Sequence, residues 1–281
     1  MAITSQEFDF VRDLVREKSG IVLEAGKEYL VEARLSTLIR QEKIDSISTL
    51  VKRLQASIAD PVQKRVIEVM TTNETSFFRD IHPFEAFKNT LLPNLLAARA
   101  ATRTLSIWCG AASTGQEPYT IAMILKELGE KLAGWKVNFV ATDISSEMIA
   151  KSRLAKFNQI EINRGLPATL MVKYFEKQGL EWQIKQPLRD MIDFREMNLT
   201  TTWPIFPQMD VIFLRNVLIY FDAETKKQIL GKLRKLLAPD GYLFLGCAET
   251  TMGLDENYER MPIERSGCYR LQSAASKAKA A

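Results

Sequence analysis

The hydrophobic period of this chain changes once, and the change divides it. Up to about residue 99 apolar residues recur at three- and four-residue spacing; from Leu105 onward short apolar runs alternate with helical patterns. Thr4-Ser5-Gln6-Glu7 reads as a capping box ahead of Phe8, Val11, Leu14 and Val15, and Ser19-Gly20 stops that run. Residues 28–41 and 47–57 give two more helical patterns. Asp60-Pro61 opens a fourth through Val62, Val66, Val69 and Met70. Four short helices without a strand predict a small all-α N-terminal domain over 1–72. Residues 84–99 predict a further helix, so 73–100 reads as a linker and connecting helix.

Residues 101–281 predict an α/β domain. Strands are expected at 105–109, 136–141, 209–214, 242–245 and 268–271. Helices are expected at 118–131, from Ser145 to about 153, and from Asp222 to 237. The alternation implies a mainly parallel sheet covered on both faces, with a late antiparallel strand allowed. Residues 157–195 break the rhythm. Gly165-Leu166-Pro167, Tyr174-Phe175 and Glu181-Trp182-Gln183-Ile184 predict an inserted small antiparallel β-subdomain there. Residues 273–281 contain only Ala, Ser and Lys and predict a disordered tail.

The totals exclude a good deal of chemistry. One histidine, His82, beside Pro83 and without a GxSxG, leaves no Ser-His-Asp triad and no His-rich metal site. Three scattered cysteines, Cys109, Cys247 and Cys268, disfavour a disulfide framework or a CxxC zinc site, so no metal is expected. A net charge of +4 gives no argument for nucleic acid. Residues 1–7 carry no signal pattern and no apolar run is long enough for a membrane span, so a cytoplasmic protein without membrane insertion is expected.

The loop "GAASTG", residues 110–115, joins the first parallel strand to its helix, the place where open α/β sheets bind ligands. Its two glycines, Gly110 and Gly115, would let backbone amides approach a ligand closely. It is neither GxGxxG nor a Walker loop. Asp143 ends the next strand, where a carboxylate can accept ribose hydroxyls. Together these predict an adenosine-type cofactor, S-adenosylmethionine or NAD. A small-residue turn can equally serve tight packing, and an acid after a strand can equally cap a helix. Two polar stretches strengthen the ligand reading: residues 71–80, rich in donors and bracketed by aromatics, and Arg215-Asn216, directly after an apolar strand.

Five stretches carry a resemblance. "TTNETSFFRD", "WCGAASTGQEPYTIAMIL", "ATDISSEMIAKSR", "FLRNVLIYFD" and "PDGYLFLGCAET" stand in the order and approximate spacing of the chemotaxis receptor methyltransferases, the CheR family. The resemblance covers nearly the whole chain, and "NETSFFRD" and "RNVLIYFD" are far more specific than any glycine loop. It implies an all-α N-terminal domain and a Rossmann-like α/β domain that binds S-adenosylmethionine and holds the inserted β-subdomain. It also implies methyl transfer to glutamate side chains of chemoreceptors, giving methyl esters and S-adenosylhomocysteine. By motif position, Asn73, Thr75, Arg79, Gly110, Glu117, Asp143, Asn198, Leu199, Arg215 and Asn216 belong to the cofactor site. Arg79 and Tyr220 stand nearest the transferred methyl.

Such a transfer needs no base, because a glutamate is already anionic near neutral pH. It needs alignment and partial stripping of water from the carboxylate. Arg79 suits the carboxylate of the methionine moiety, Asp143 the ribose, and Tyr220 the incoming glutamate. The implied partner is the cytoplasmic helical region of methyl-accepting chemoreceptors. Arg34 and Arg40, with Lys43, Lys52 and Arg53, are the candidate docking cations. Some family members also grip a short receptor C-terminal peptide with the β-subdomain, and the segment itself does not say which kind this is. A small-molecule O- or N-methyltransferase and a non-catalytic cofactor-sensing receptor binder are the alternatives.

Overall fold

The computed structural model describes residues 3–57 and 60–272; the tail expected over 273–281 lies outside them. Helices α1 (Ser5–Ser19), α2 (Glu28–Gln41), α3 (Ile47–Ala56) and α4 (Val62–Met70) form the N-terminal domain. Their buried stripes meet in a core of their own around Val11, Leu35, Leu50 and Val66. The capping box is made in both directions: the Glu7 amide donates to Thr4 Oγ1 (3.3 Å), and the Thr4 amide to Glu7 Oε2 (2.9 Å). No helix among the described residues is long and apolar enough to cross a membrane.

The α/β domain contains ten strands among the described residues. They are β1 (Thr104–Gly110), β2 (Lys136–Asp143), β3 (Lys156–Asn158), β4 (Phe175–Gln178), β5 (Glu181–Ile184), β6 (Asp193–Glu196), β7 (Met209–Phe213), β8 (Leu237–Phe244), β9 (Tyr258–Arg260) and β10 (Cys268–Leu271). The main sheet has the order β6-β2-β1-β7-β8-β10-β9. Its first five members are parallel, and β10 and β9 run antiparallel to their neighbours. Helices α5 (His82–Ala86), α6 (Leu92–Ala98), α7 (Gln116–Glu127), α8 (Ser146–Leu154), α9 (Gln159–Asn163), α10 (Ala168–Tyr174), α11 (Gln186–Arg189) and α12 (Ala223–Leu236) join them, with a π-helical turn, Phe87–Leu91, between α5 and α6 and short 3-10 turns at Gly129–Leu132 and Leu218–Tyr220. Side chains alternate across β1: Leu105, Ile107 and Cys109 enter one core, and Trp108 enters the other.

Two expected boundaries move. β3, β5 and β4 make the separate three-stranded antiparallel sheet, but β6, inside the expected 157–195 insertion, pairs in parallel with β2 on the main sheet. The stretch 73–100, expected as a linker and connecting helix, packs on the α/β domain through its aromatic rings. Phe77 packs edge-on against Phe157 and Phe175, while Phe84 and Phe87 pack on Phe213 of β7. These rings belong to the core of the α/β domain.

Candidate active site

From β1 the chain moves to β2 and β6 on one side of the sheet, then returns to β7 on the other, so the strand order reverses between β1 and β7. Loops diverge at such a point and leave a crevice at the carboxyl ends of the strands. A cavity lies there. Ala111, Ser113 and Glu117 line it from the loop after β1 and the start of α7, and Asp143 and Ile144 from the end of β2. Residues 197–199 follow β6 into it, and 215–217 with Tyr220 and Phe221 follow β7. Residues 71–75, Arg79, and Ser19 with Ile21 of the helical domain complete the wall. Asn73, Thr75, Arg79, Glu117, Asp143, Asn198, Leu199, Arg215, Asn216 and Tyr220 are therefore brought together. Gly110 is the exception.

Both glycines of the loop are closely packed by the protein itself. A Cβ on Gly110 would sit 2.5 Å from Leu214, and one on Gly115 would meet Ser152 and Tyr119 at 3.2 Å. Gly115 also needs its φ of +96°, a left-handed turn that opens α7. The loop amides are not bare. Ala112 donates to Thr142 O (2.9 Å), Gly115 to Ala112 O (2.9 Å), and Ser113 to Asp143 Oδ2 (2.8 Å). Asp143 therefore fastens the loop itself, and its Oδ1 also accepts from the Ser145 amide (2.9 Å). Burial pushes its carboxyl above the usual carboxylate range, against the opposing pull of these amides. Each oxygen keeps a lone pair beyond the amide it holds.

Two arginines line the cavity in different electrostatic states. The Arg215 guanidinium is buried and held by carboxylates: Nη1 meets Glu117 Oε2 at 2.5 Å, and Nη2 meets Asp80 Oδ2 at 2.8 Å and Arg79 O at 3.0 Å. Its face covers Phe84, and its buried Nε finds no hydrogen-bond partner among the described residues. Arg79 instead spends one donor, Nη1, on Glu74 O (2.9 Å) and forms no ion pair among the described residues. The Glu74 carboxylate is taken by Arg164. Positive φ at Phe78 (49°) and Asp80 (63°) brackets Arg79 in a tight turn at the cavity wall. Arg79 is the cation with donors to spare, whereas Arg215 is the brace beneath it.

Sequence reasoning missed three contributors. The helical domain forms part of the wall. Asn198 Nδ2 donates to Lys18 O (2.7 Å), Val22 N to Tyr220 O (2.9 Å), and Ser146 to Glu68 Oε1 (2.8 Å from its amide). Asp80 clamps Arg215. Glu249 accepts four backbone amides: Gly246 and Asn216 on Oε2 (2.6 and 2.8 Å), Val217 and Ile219 on Oε1 (2.8 and 3.3 Å). The signal for Glu249 was inside "GCAET", an acid in a stretch otherwise made of small residues.

The two arginines expected at a docking surface differ in how far they are engaged within the protein. Arg34 donates to Met70 O (2.5 Å), Thr71 O (3.1 Å) and Thr72 Oγ1 (3.0 Å), so its guanidinium fastens the start of the linker. Arg40 is exposed and bonds only within its own helix region, to Ser36 O and Thr37 Oγ1. Tyr220 lies at the wall with a hydroxyl that makes no hydrogen bond among the described residues.

The donor set fits an adenosyl amino acid. Ile144, Met197, Leu199, Val217 and Phe221 offer apolar surface, with a buried carboxylate and an underused guanidinium beside them. A parallel sheet with a cavity of this chemistry at its switch point places the chain among the S-adenosylmethionine-dependent methyltransferases. Residues 73–266 match the family described as "CheR methyltransferase, SAM binding domain", and residues 6–71 match "CheR methyltransferase, all-alpha domain". The chain belongs to the CheR methyltransferase family. It is 37% identical to Chemotaxis protein methyltransferase 1 of Pseudomonas aeruginosa and to Chemotaxis protein methyltransferase Cher2 of Pseudomonas putida, in each case over 97% of this chain and 100% of the relative. It is 36% identical to Chemotaxis protein methyltransferase of Vibrio parahaemolyticus, over 97% of this chain and 99% of that one.

Proposed function

We propose that this protein methylates glutamate side chains in the cytoplasmic helical region of chemoreceptors, and that it works in the cytoplasm. The observation that carries the reading is the convergence of Arg79, Asp143 and Tyr220 on one cavity at the sheet's switch point. When bound, S-adenosylmethionine supplies an electrophilic methyl group on a sulfonium. Asp143 holds the ribose hydroxyls with the lone pairs its amides leave, and Arg79 holds the methionine carboxylate. Ile144, Met197, Leu199 and Phe221 exclude water from the adenine. Tyr220, with its hydroxyl unspent, orients the incoming glutamate oxygen. No group need remove a proton. Incubation with methyl-labelled cofactor and receptor-containing membranes should give a protein-bound label that mild alkali releases, as carboxyl methyl esters require. Alkali-stable label, or label on a small metabolite, refutes the reading.

Asp143 supports a further expectation. Asp143→Asn should weaken cofactor binding by about 10- to 100-fold, since hydrogen bonds to a charged acceptor contribute about 1.5–3 kcal/mol and the new NH2 also faces the Ser113 or the Ser145 amide, loosening the loop. An ionised carboxylate is the form that accepts ribose hydroxyls, and burial raises its pKa. Affinity in the unaltered protein should therefore decline as pH falls through that raised value, at higher pH than for an ordinary carboxylate. The Asn variant should lack this slope. Calorimetry with S-adenosylhomocysteine across pH measures both; equal affinities would leave Asp143 as a loop fastener only.

A further inference from the structure

Next to the cofactor cavity runs a second cleft, and the two share neighbouring residues. Arg79 lines the cavity and Asp80 the cleft; Asn216 lines the cavity, and Glu249, which binds its amide, lines the cleft. The cleft runs between the turn that presents Arg79 and the segment after β8. Its acids are neutralised internally. Asp80 is paired with Arg215, and the Glu249 carboxylate is surrounded by four amides. Beside His82, Cys247 and Thr250, the lining that remains is cationic and apolar. Arg260 is exposed and without an ion pair among the described residues, and Arg265 has only a loose 3.8 Å contact with its exposed neighbour Glu264. Met252 is 77% exposed and Ile81 48%. Ile219, 47% exposed, stands beside Tyr220 and is fixed by Glu249.

We infer that this cleft docks the substrate helix itself, an amphipathic segment with an acidic stripe, and so delivers its glutamate to Tyr220. The inference rests on the proposed function. A helix carrying the reactive glutamate brings a carboxylate beside apolar side chains, the complement of this cleft's free cations and exposed apolar residues. Arg260 and Arg265 meet the acidic stripe, while Met252 and Ile81 meet the apolar edge. Charges placed this way act mainly on encounter and dissociation, and so on KM, with a strong response to salt.

The test is R260E/R265E, with Met252→Ser as a second variant that leaves charge alone. Methylation of receptor-containing membranes is measured for each against receptor concentration, at low and high salt. The expected result is a KM raised at least tenfold by R260E/R265E and about threefold by Met252→Ser. In both, kcat should stay within twofold, with unchanged affinity for S-adenosylhomocysteine. R260E/R265E should also flatten the salt dependence. KM within twofold of the unaltered protein in both variants, or a loss confined to kcat, overturns the inference and leaves the proposed function standing. Failure of the unaltered protein to methylate the receptor removes both. Sedimentation showing a dimer that R260E/R265E dissociates, with receptor KM unmoved, overturns it in favour of a second copy of this chain.

Discussion

Arg79→Ala should lower kcat/KM for receptor methylation by a hundredfold or more, while the thermal midpoint stays within a few degrees of normal. The two halves have separate causes. In the fold, Arg79 gives one side-chain hydrogen bond, to the backbone carbonyl of the exposed Glu74, so its loss strands no buried residue. Of the two arginines that line the cavity among the described residues, it is the one whose donors are not already committed to carboxylates, Arg215 being held by Glu117 and Asp80. A planar fork on a carboxylate gives two charge-assisted bonds, each about twice as strong as a neutral one. A hundredfold loss corresponds to about 2.7 kcal/mol of transition-state stabilisation. Part of that is binding, and part is the alignment lost when the methionine end of the cofactor is free to move. Arg79→Lys should recover some affinity but little rate, because a point charge does not fix a plane. Initial rates and calorimetry on the same preparations separate the two. Near-normal turnover of Arg79→Ala would remove it from the mechanism.

Much of this architecture is written locally. The four N-terminal helices, the parallel strands β1, β2 and β7 and the caps at Thr4, Ser145 and Asp222 follow from period and short-range chemistry, and the structure has them within a residue or two, whereas β8, expected from 242, already begins at Leu237. What was misread depends on neighbours distant in the chain. β6 offers one apolar residue, Phe194, among polar ones, and becomes a strand of the main sheet because β2 supplies its partner. Gly110 and Gly115 look the same in sequence whether the missing side chain makes room for a ligand, for Leu214, or for Tyr119. Arg79 and Arg215 are equivalent as letters; only the approach of Glu117 and Asp80 separates a spent guanidinium from a free one. Arg34 stands on a helical face with other cations, and the linker carbonyls that claim it lie 36 and 37 residues away. The residues that line the cavity were legible through motifs, whereas their hydrogen-bond partners required the fold.

Glu249 carries the second large effect, although it does not line the cofactor cavity. Its carboxylate gathers the amides of Gly246, Asn216, Val217 and Ile219, and so fixes the turn that ends at Tyr220. Asn216 sits in that turn with φ at +58°, a left-handed conformation that asparagine adopts more readily than most residues. Gly246 is required on the other side, since a Cβ there would lie 2.6 Å from Asn216 Nδ2 and 2.8 Å from Glu249 Oε2. In Glu249→Gln the side chain keeps its shape, but one oxygen becomes an NH2 that faces two N–H donors in either orientation. Two amides then lose their acceptor, at about 1–3 kcal/mol each. The turn relaxes to recover water or new partners, and Tyr220 and Asn216 move with it. We expect a stability loss of about 2–4 kcal/mol and a kcat lowered by about 30- to 100-fold, with the loss in kcat persisting well below the melting temperature. Glu249→Ala should be worse in stability and no better in rate. Denaturant unfolding and single-turnover rates on the folded protein provide the two readouts. A Glu249→Gln enzyme that is less stable yet turns over within threefold of normal would show that the four amides hold the fold without positioning the chemistry.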